Sequence, residues 1–386
     1  MPHEKFHYKS LEEVEQRAAE LGVSLPFAVD THCLAYPLQV RNITFPNRLG
    51  IAPMEGADST PEGAPSAYTV RRYVNEAIGG SAVIWFEAIS IVEEGRSSQT
   101  QLLLTRDTLD EFKKMTAAVK EAGIKANGYA PYLIMQANHS GRYSNPGNKP
   151  APMIAYRHPI LEQYRAADDS CIVSDDYLKG LEVKFGEATQ LAKEAGFDAV
   201  DIKSCHGYLL AELASAYNRP GAYGGSFENR FRLLKNGIRA AKVYEDDSFM
   251  VTARVGIYDG YAYPWGFGVS PESGTTPDLT EPKRLVRELH DELGVDMVDL
   301  TMGNPYATTH VTRPFDFGKY EPDEHPLVGL ARMIHGIGEV KKAVPEMTVW
   351  ASAPSYLRAY ADLFTAGAVE EGSRRPSGLR KTNQRH

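Results

Sequence analysis

Cysteine is scarce in this chain. The three copies among 386 residues, Cys33, Cys171 and Cys205, include no C-x-x-C pair, which argues against a disulfide framework, a structural zinc or an iron–sulfur cluster. A reducing, cytoplasmic setting without a bound metal is therefore expected. Long apolar runs are missing too. No stretch nears the ~18 apolar residues of a membrane span, and the opening residues MPHEKFHYKSLEEVEQRAAELG contain no apolar signal core, so neither a membrane partner nor a targeting signal is expected. Dense basic blocks are absent before the last residues, and 42 Lys plus Arg stand against 50 Asp plus Glu for a formal charge of -8. Nucleic acid is accordingly not an expected partner. No G-x-G-x-x-G follows the first apolar strand, which removes the phosphate-binding fingerprint of an open dinucleotide sheet.

What is present is a rhythm. Ser10 and Glu13 form a capping box for a first helix that Gly22 ends, and an irregular lead-in follows, so residues 1–37 read as an N-terminal helix with its lead-in segment. Short apolar strands then recur at RLGIAPM, AVIWFEAIS, YLIMQA, AVDIK, FMVTARV, MVDLTM and MTVWA, most of them separated by helical patterns such as TLDEFKKMTAAVKEAG. Strands alternating with helices build a parallel sheet. Nearly every strand ends on a group capable of chemistry: Met54 and Glu55, Glu87, Gln136, Lys203, Arg254, then Gly303 and Asn304. Convergence of many strand ends on one face is the arrangement of a TIM (β/α)8 barrel, whereas an open sheet concentrates its site at one switch point.

The densest cluster follows the fourth strand, where Lys203, Ser204, Cys205, His206, Gly207 and Tyr208 succeed one another. A lysine at the end of a buried strand is partly desolvated, which suits it to bind an anion or to act as an amine nucleophile. His206 can share that anion, and Tyr208 can donate a phenolic proton. A lysine reaching out to solvent beside a core histidine is the plainer alternative, and a Schiff-base aldolase built on Lys203 is another. Residues 138–172 are too long and proline-rich for a simple connection and read as a cap over the barrel mouth. Residues 256–270, with three tyrosines, Trp265 and Phe267, read as an aromatic lid, and His310 is a further candidate for the site.

HGYLL followed by YGGSFENR resembles the Old Yellow Enzyme / NADH:flavin oxidoreductase family, including the N-terminal barrel of 2,4-dienoyl-CoA reductase-like enzymes. The resemblance spans roughly residues 38–370. It implies FMN as cofactor, NAD(P)H as reductant, and ene-reductase activity on a small molecule bearing an activated double bond or an anionic oxygen. In the family's pattern, Ala52, Pro53 and Met54 lie against the flavin, Ala88 sits beside its ring, Gln136 bonds its pyrimidine side and Arg254 faces its N1 edge. Lys203, His206 and Tyr208 keep the spacing of the catalytic group, with lysine where histidine is more common. A homo-oligomer is compatible with this resemblance.

The resemblance ends near the C-terminus. Strand seven ends WASAPSYL, with alanines where the family holds the flavin phosphate on glycines, and residues 373–386 form a polar, basic tail with one leucine. Such a tail cannot be a buried eighth strand. The expected organisation is a flavin-binding (β/α)8-type barrel over residues 38–372, its last β/α unit missing or altered, with FMN held weakly or not at all; a flavin-free, non-catalytic remnant is the alternative.

Overall fold

The computed structural model describes residues 3–352 and 354–373. Apart from Ser373, the basic tail read from the sequence lies outside the described residues. The described residues form nine strands: β1 (Leu38–Val40), β2 (Ile43–Phe45), β3 (Gly50–Ile51), β4 (Val83–Ser90), β5 (Tyr132–Asn138), β6 (Ala199–Ser204), β7 (Met250–Gly256), β8 (Met297–Thr301) and β9 (Thr348–Ala351). The helices are α1 (Leu11–Glu20), α2 (Ala67–Ile78), α3 (Leu109–Asn127), α4 (Asp175–Glu194), α5 (Leu209–Ala214), α6 (Phe227–Arg230), α7 (Arg232–Lys242), α8 (Thr280–Asp291), α9 (Thr309–Thr312), α10 (Pro326–Ala343) and α11 (Ala361–Ser373). No helix among the described residues is long and apolar enough to cross a membrane.

β3 to β9 form one sheet in sequence order, all pairs parallel. Each of the seven strand segments read from the sequence is there, so the described residues supply seven strands of a (β/α)8-type barrel. β3 is the shortest, because Pro53 has no N–H to extend the ladder. Among the described residues β3 and β9 are the two edges. The Trp350 ring lies between them, so close to Gly50 that an added Cβ there would sit 2.6 Å from a ring carbon. Only glycine leaves room for it.

The period-two alternation of β6 explains its composition. Ala199 packs inside the barrel with Val83, Trp85, Ile134, Met250 and Met297. Val200 and Ile202 join the larger core between sheet and helices. Asp201 and Lys203 share the inward face with Ala199. The β1–β2 hairpin inserts Val40 and Phe45 into that inner cluster and plugs the N-terminal end of the barrel, so the inward polar groups can open only toward the C-terminal face.

α1 starts as its sequence demands, with Ser10 Oγ accepting the Glu13 N–H at 3.3 Å. The returning carboxylate bond lands one residue earlier than the capping box predicts, on the Lys9 N–H at 2.8 Å. α1 and the lead-in then pack Tyr8, Val14 and Ala18 against Leu327 and Leu330 of α10 and Phe364 of α11.

Candidate active site

Two carboxylates and two cations line the inside of the sheet. Asp201 accepts from Trp85 Nε1 at 2.7 Å and from Gln136 Nε2 at 2.6 Å. Asp299 pairs with Arg254 Nε at 2.7 Å. Burial pushes Asp299 up to about 6, although Arg254 opposes this. Burial likewise raises Asp201, against its bonds from Gln136 and Trp85. The Arg254 guanidinium is itself disfavoured by burial, yet Asp299 beside it keeps its pKa above the ordinary arginine value, so it stays charged. Its Nη1 donates to the Pro53 carbonyl at 3.4 Å, which ties the fifth strand end to the first.

Lys203 is buried above this layer. Its Nζ lies 3.9 Å from the centroid of the Tyr208 ring. Burial lowers its pKa, and Glu55 works against that shift. Tyr208 stands at the N-cap of α5 and donates to Glu55 Oε1 at 2.9 Å. Its hydroxyl also meets the Tyr306 hydroxyl at 2.9 Å, while Ser97 Oγ donates to Glu55 Oε2 at 2.8 Å. Burial, reinforced by Glu55, raises the Tyr208 phenol well above its ordinary value. It holds its proton throughout the neutral range.

His206 is turned differently. Its backbone is left-handed, with φ 66°, and its Nε2 lies 3.3 Å from Thr301 Oγ1 on β8. Burial, with Arg254 and Lys203 nearby, keeps its imidazole well below its usual pKa and hence neutral. Gly207 follows, also left-handed at φ 71°. An added Cβ would lie 2.0 Å from Asn304 Nδ2, the amide that donates to Tyr143 at 3.1 Å. Gly207→Ala is therefore expected to lower stability by about 1 to 3 kcal/mol, through the left-handed backbone and the displaced amide; denaturant unfolding measures it, and an unchanged midpoint would contradict this packing.

The remaining candidates divide. Ala52 and Met54 sit exposed at the end of β3, Met54 at 75 %, and leave an apolar surface beside Arg254. Ala88 is buried where the β4–β5 register shifts, and its carbonyl accepts from Gln101 Nε2 at 2.8 Å. Glu87 faces away from this site and clamps the preceding loop, accepting from Arg72, from the Tyr73 hydroxyl and from the Gly56 N–H. His310 is 2.6 Å from the Tyr320 hydroxyl, beyond the Lys203 cluster. The 138–172 segment does cap the mouth: Tyr143 stacks on Tyr306 with centroids 3.8 Å apart, and the segment is anchored by Arg142, whose Nε donates to Glu212 at 2.9 Å. The 256–270 stretch buttresses that cap. Tyr261 and Trp265 pack with Ile160, Leu161 and Ala307, and His158 bonds the Trp265 carbonyl at 2.9 Å.

Glu55, Ser97 and Tyr306 complete the Lys203 cluster. Glu55 was visible in the sequence as a strand-end acid, but no local pattern marks the other two.

The Arg254 cation is buried beside exposed apolar groups, a pairing chemically compatible with a planar ring that gains negative charge on reduction. For a phosphate the described residues offer no counterpart after β9, which ends on an exposed Ala351. Arg358, further on, is paired with Asp316 at 2.6 Å. Among the described residues no group of His, Cys, Asp and Glu is arranged to hold a metal.

Comparison with known proteins agrees with the geometry. The NADPH dehydrogenase of Bacillus velezensis is 29% identical over 272 residues, covering 69% of this chain and 72% of that protein. That of Clostridium acetobutylicum is 28% identical over 275 residues, covering 70% and 74%. In fold, the chain is similar to 2-naphthoyl-CoA reductase in its complex with 2-naphthoyl-CoA, with TM-score 0.69 and 19% identity over 89% of this chain. It spans only 49% of that reductase. It is also similar to the old yellow enzyme homologue from Zymomonas mobilis, with TM-score 0.61, 20% identity, and coverage of 87% of this chain and 86% of that one. The model of the NADH:flavin oxidoreductase / NADH oxidase family matches residues 34–267. The chain belongs to this family, and with it is an FMN-dependent oxidoreductase reduced by NAD(P)H.

Proposed function

We propose that this enzyme reduces an activated C=C bond, and that Lys203, His206 and Tyr208 carry the substrate's half of the reaction. One observation supports this reading above the others: the buried Lys203 ammonium lies against the ring of a phenol that is itself fully hydrogen-bonded at the barrel mouth. FMN, when bound, supplies the hydride. Ala52, Pro53 and Met54 would cover its ring, Ala88 would leave space beside it, and Gln136 and Arg254 would meet its pyrimidine edge and its N1 side. The flavin-binding unit would then be residues 38–372.

Lys203 makes no ion pair with a carboxylate among the described residues, so its N–H groups can hold the oxygen that activates the double bond. Charge grows on that oxygen as hydride arrives, and a desolvated cation stabilises it more than water would. His206 is neutral and can offer one N–H to the same oxygen. Tyr208 gives its proton to the carbon across the bond. The phenolate so formed sits under the Lys203 ammonium and regains a proton from solvent through the Tyr306 hydroxyl. As a compact point charge, the lysine favours a carboxylate or an enolate-forming carbonyl.

The test is product analysis with a conjugated enone and with an α,β-unsaturated acid under NADPH. A saturated carbonyl product is expected, and turnover of NADPH with both double bonds intact would refute the reading. Lys203→Met should slow the enone-dependent step about ten- to a hundredfold, leaving reduction by NADPH unchanged.

A further inference from the structure

Outside the Lys203 cluster, beyond Tyr306, opens a cavity of about 620 Å³. Its wall carries three cations, Arg165, Arg313 and Lys319, and no carboxylate. None of the three makes an ion pair among the described residues, because the nearby acids are committed elsewhere: Asp316 to Arg358 at 2.6 Å and Glu324 to Arg332 at 2.7 Å. In a chain of formal charge -8, three unneutralised cations around one cavity attract anions selectively. The wall also presents aromatic rings to solvent. Phe317 is 86% exposed, and Tyr164 and Tyr306 are exposed as well. Two further atoms, Arg165 Nε and Asn145 Oδ1, are buried without a hydrogen-bond partner, a state in which polar groups rarely remain once a ligand is present.

Cations beside flat rings suit a planar base bearing phosphates, which stacks through one part and pairs through the other. Tyr306 belongs both to this wall and to the hydrogen bond with Tyr208, so a ligand held here reaches the mouth with its other end. We infer that this cavity binds the phosphorylated adenosine portion of a ligand whose reactive end lies at Lys203 and Tyr208. The direction of that reactive end rests on the function proposed above; the binding itself does not.

Two ligands share this chemistry, the NADPH reductant with a 2′-phosphate on its adenosine and a coenzyme A thioester substrate with a 3′-phosphate. Titration calorimetry of the full chain with adenosine 2′,5′-bisphosphate and adenosine 3′,5′-bisphosphate separates them. Preference for the first assigns the cavity to the reductant, and preference for the second to a thioester carrier. Binding should weaken as salt rises. R165Q/R313Q/K319Q should lose on the order of tenfold or more in affinity, with circular dichroism and the thermal midpoint unchanged. The inference is overturned if neither bisphosphate binds at millimolar concentration, or if the variant binds as tightly as the parent. Since no turnover is read, a failure of double-bond reduction would leave this result standing, and the converse also holds.

Discussion

Arg142→Met is expected to lower the free energy of unfolding by about 3 to 5 kcal/mol, the scale of leaving a buried charge without its partner. Arg142 and Glu212 are both 0% exposed at their side chains. Arg142 also donates to the Tyr156 carbonyl at 3.2 Å, and Glu212 accepts the Ala155 N–H at 3.0 Å. The pair thus pins the cap to α5. A domain is stable by only ~5 to 15 kcal/mol, so a loss of this size takes a large share of it. The pH dependence has a definite sign. Burial already raises the Glu212 pKa, with Arg142 opposing; without the arginine it rises further. A carboxyl whose folded pKa lies above its unfolded value contributes stability at low pH that is lost as pH rises through the folded value. The deficit of the variant should therefore be smaller at pH 5 than at pH 8. Arg142→Met/Glu212→Leu should recover much of it, since removing both charges also removes their desolvation. Chemical denaturation at the two pH values measures all three. A deficit under about 1 kcal/mol would mean that the cap is not held by this pair.

Tyr208→Phe is expected to slow reoxidation of the reduced enzyme by an enone about 10²- to 10⁴-fold, the range for loss of a positioned general acid. Reduction by NADPH should keep its rate. Phenylalanine preserves the ring under the Lys203 ammonium, so the variant removes the proton and the bonds to Glu55 and Tyr306 while leaving the cation its neighbour. Because burial and Glu55 hold the Tyr208 pKa far above neutrality, its protonation should not limit the wild-type rate anywhere between pH 6 and pH 9. Stopped-flow reoxidation followed at the flavin absorbance reads both effects. Equal rates in the two proteins would remove Tyr208 from the proton path.

The strands and the face on which the chemistry gathers were legible in the sequence, because they depend on short-range periodicities. In β6 the alternation of apolar and charged residues already placed Asp201 and Lys203 on one side, and the plugged N-terminal end leaves that side only one way to open. Lys203 and Tyr208 were readable as a pair because only a few residues of strand and turn separate them. His206, between the two, was readable as a member of the group, but its left-handed backbone and its contact with Thr301 on another strand were not.

Partners on other strands and loops were beyond any local pattern. Tyr208 meets Glu55 across 153 residues and Tyr306 across 98, and Gln136 meets Asp201 across 65. Each such contact exists only once distant segments have come together, by strand pairing for Gln136 and Asp201 and by closure of the loops for Tyr208. The aromatic stretch over 256–270 shows the same limit, since its composition suits a lid or a buttress equally and the cap against which it packs decided which. The sequence by itself determined the barrel class, the inward face of each strand and the family to which the motifs belong, because period and spacing act over a few residues. Tertiary structure alone decided which acid holds Tyr208, which cations make no ion pair among the described residues and where the cavity beyond Tyr306 lies, because those depend on distances between chain segments that no local spacing specifies.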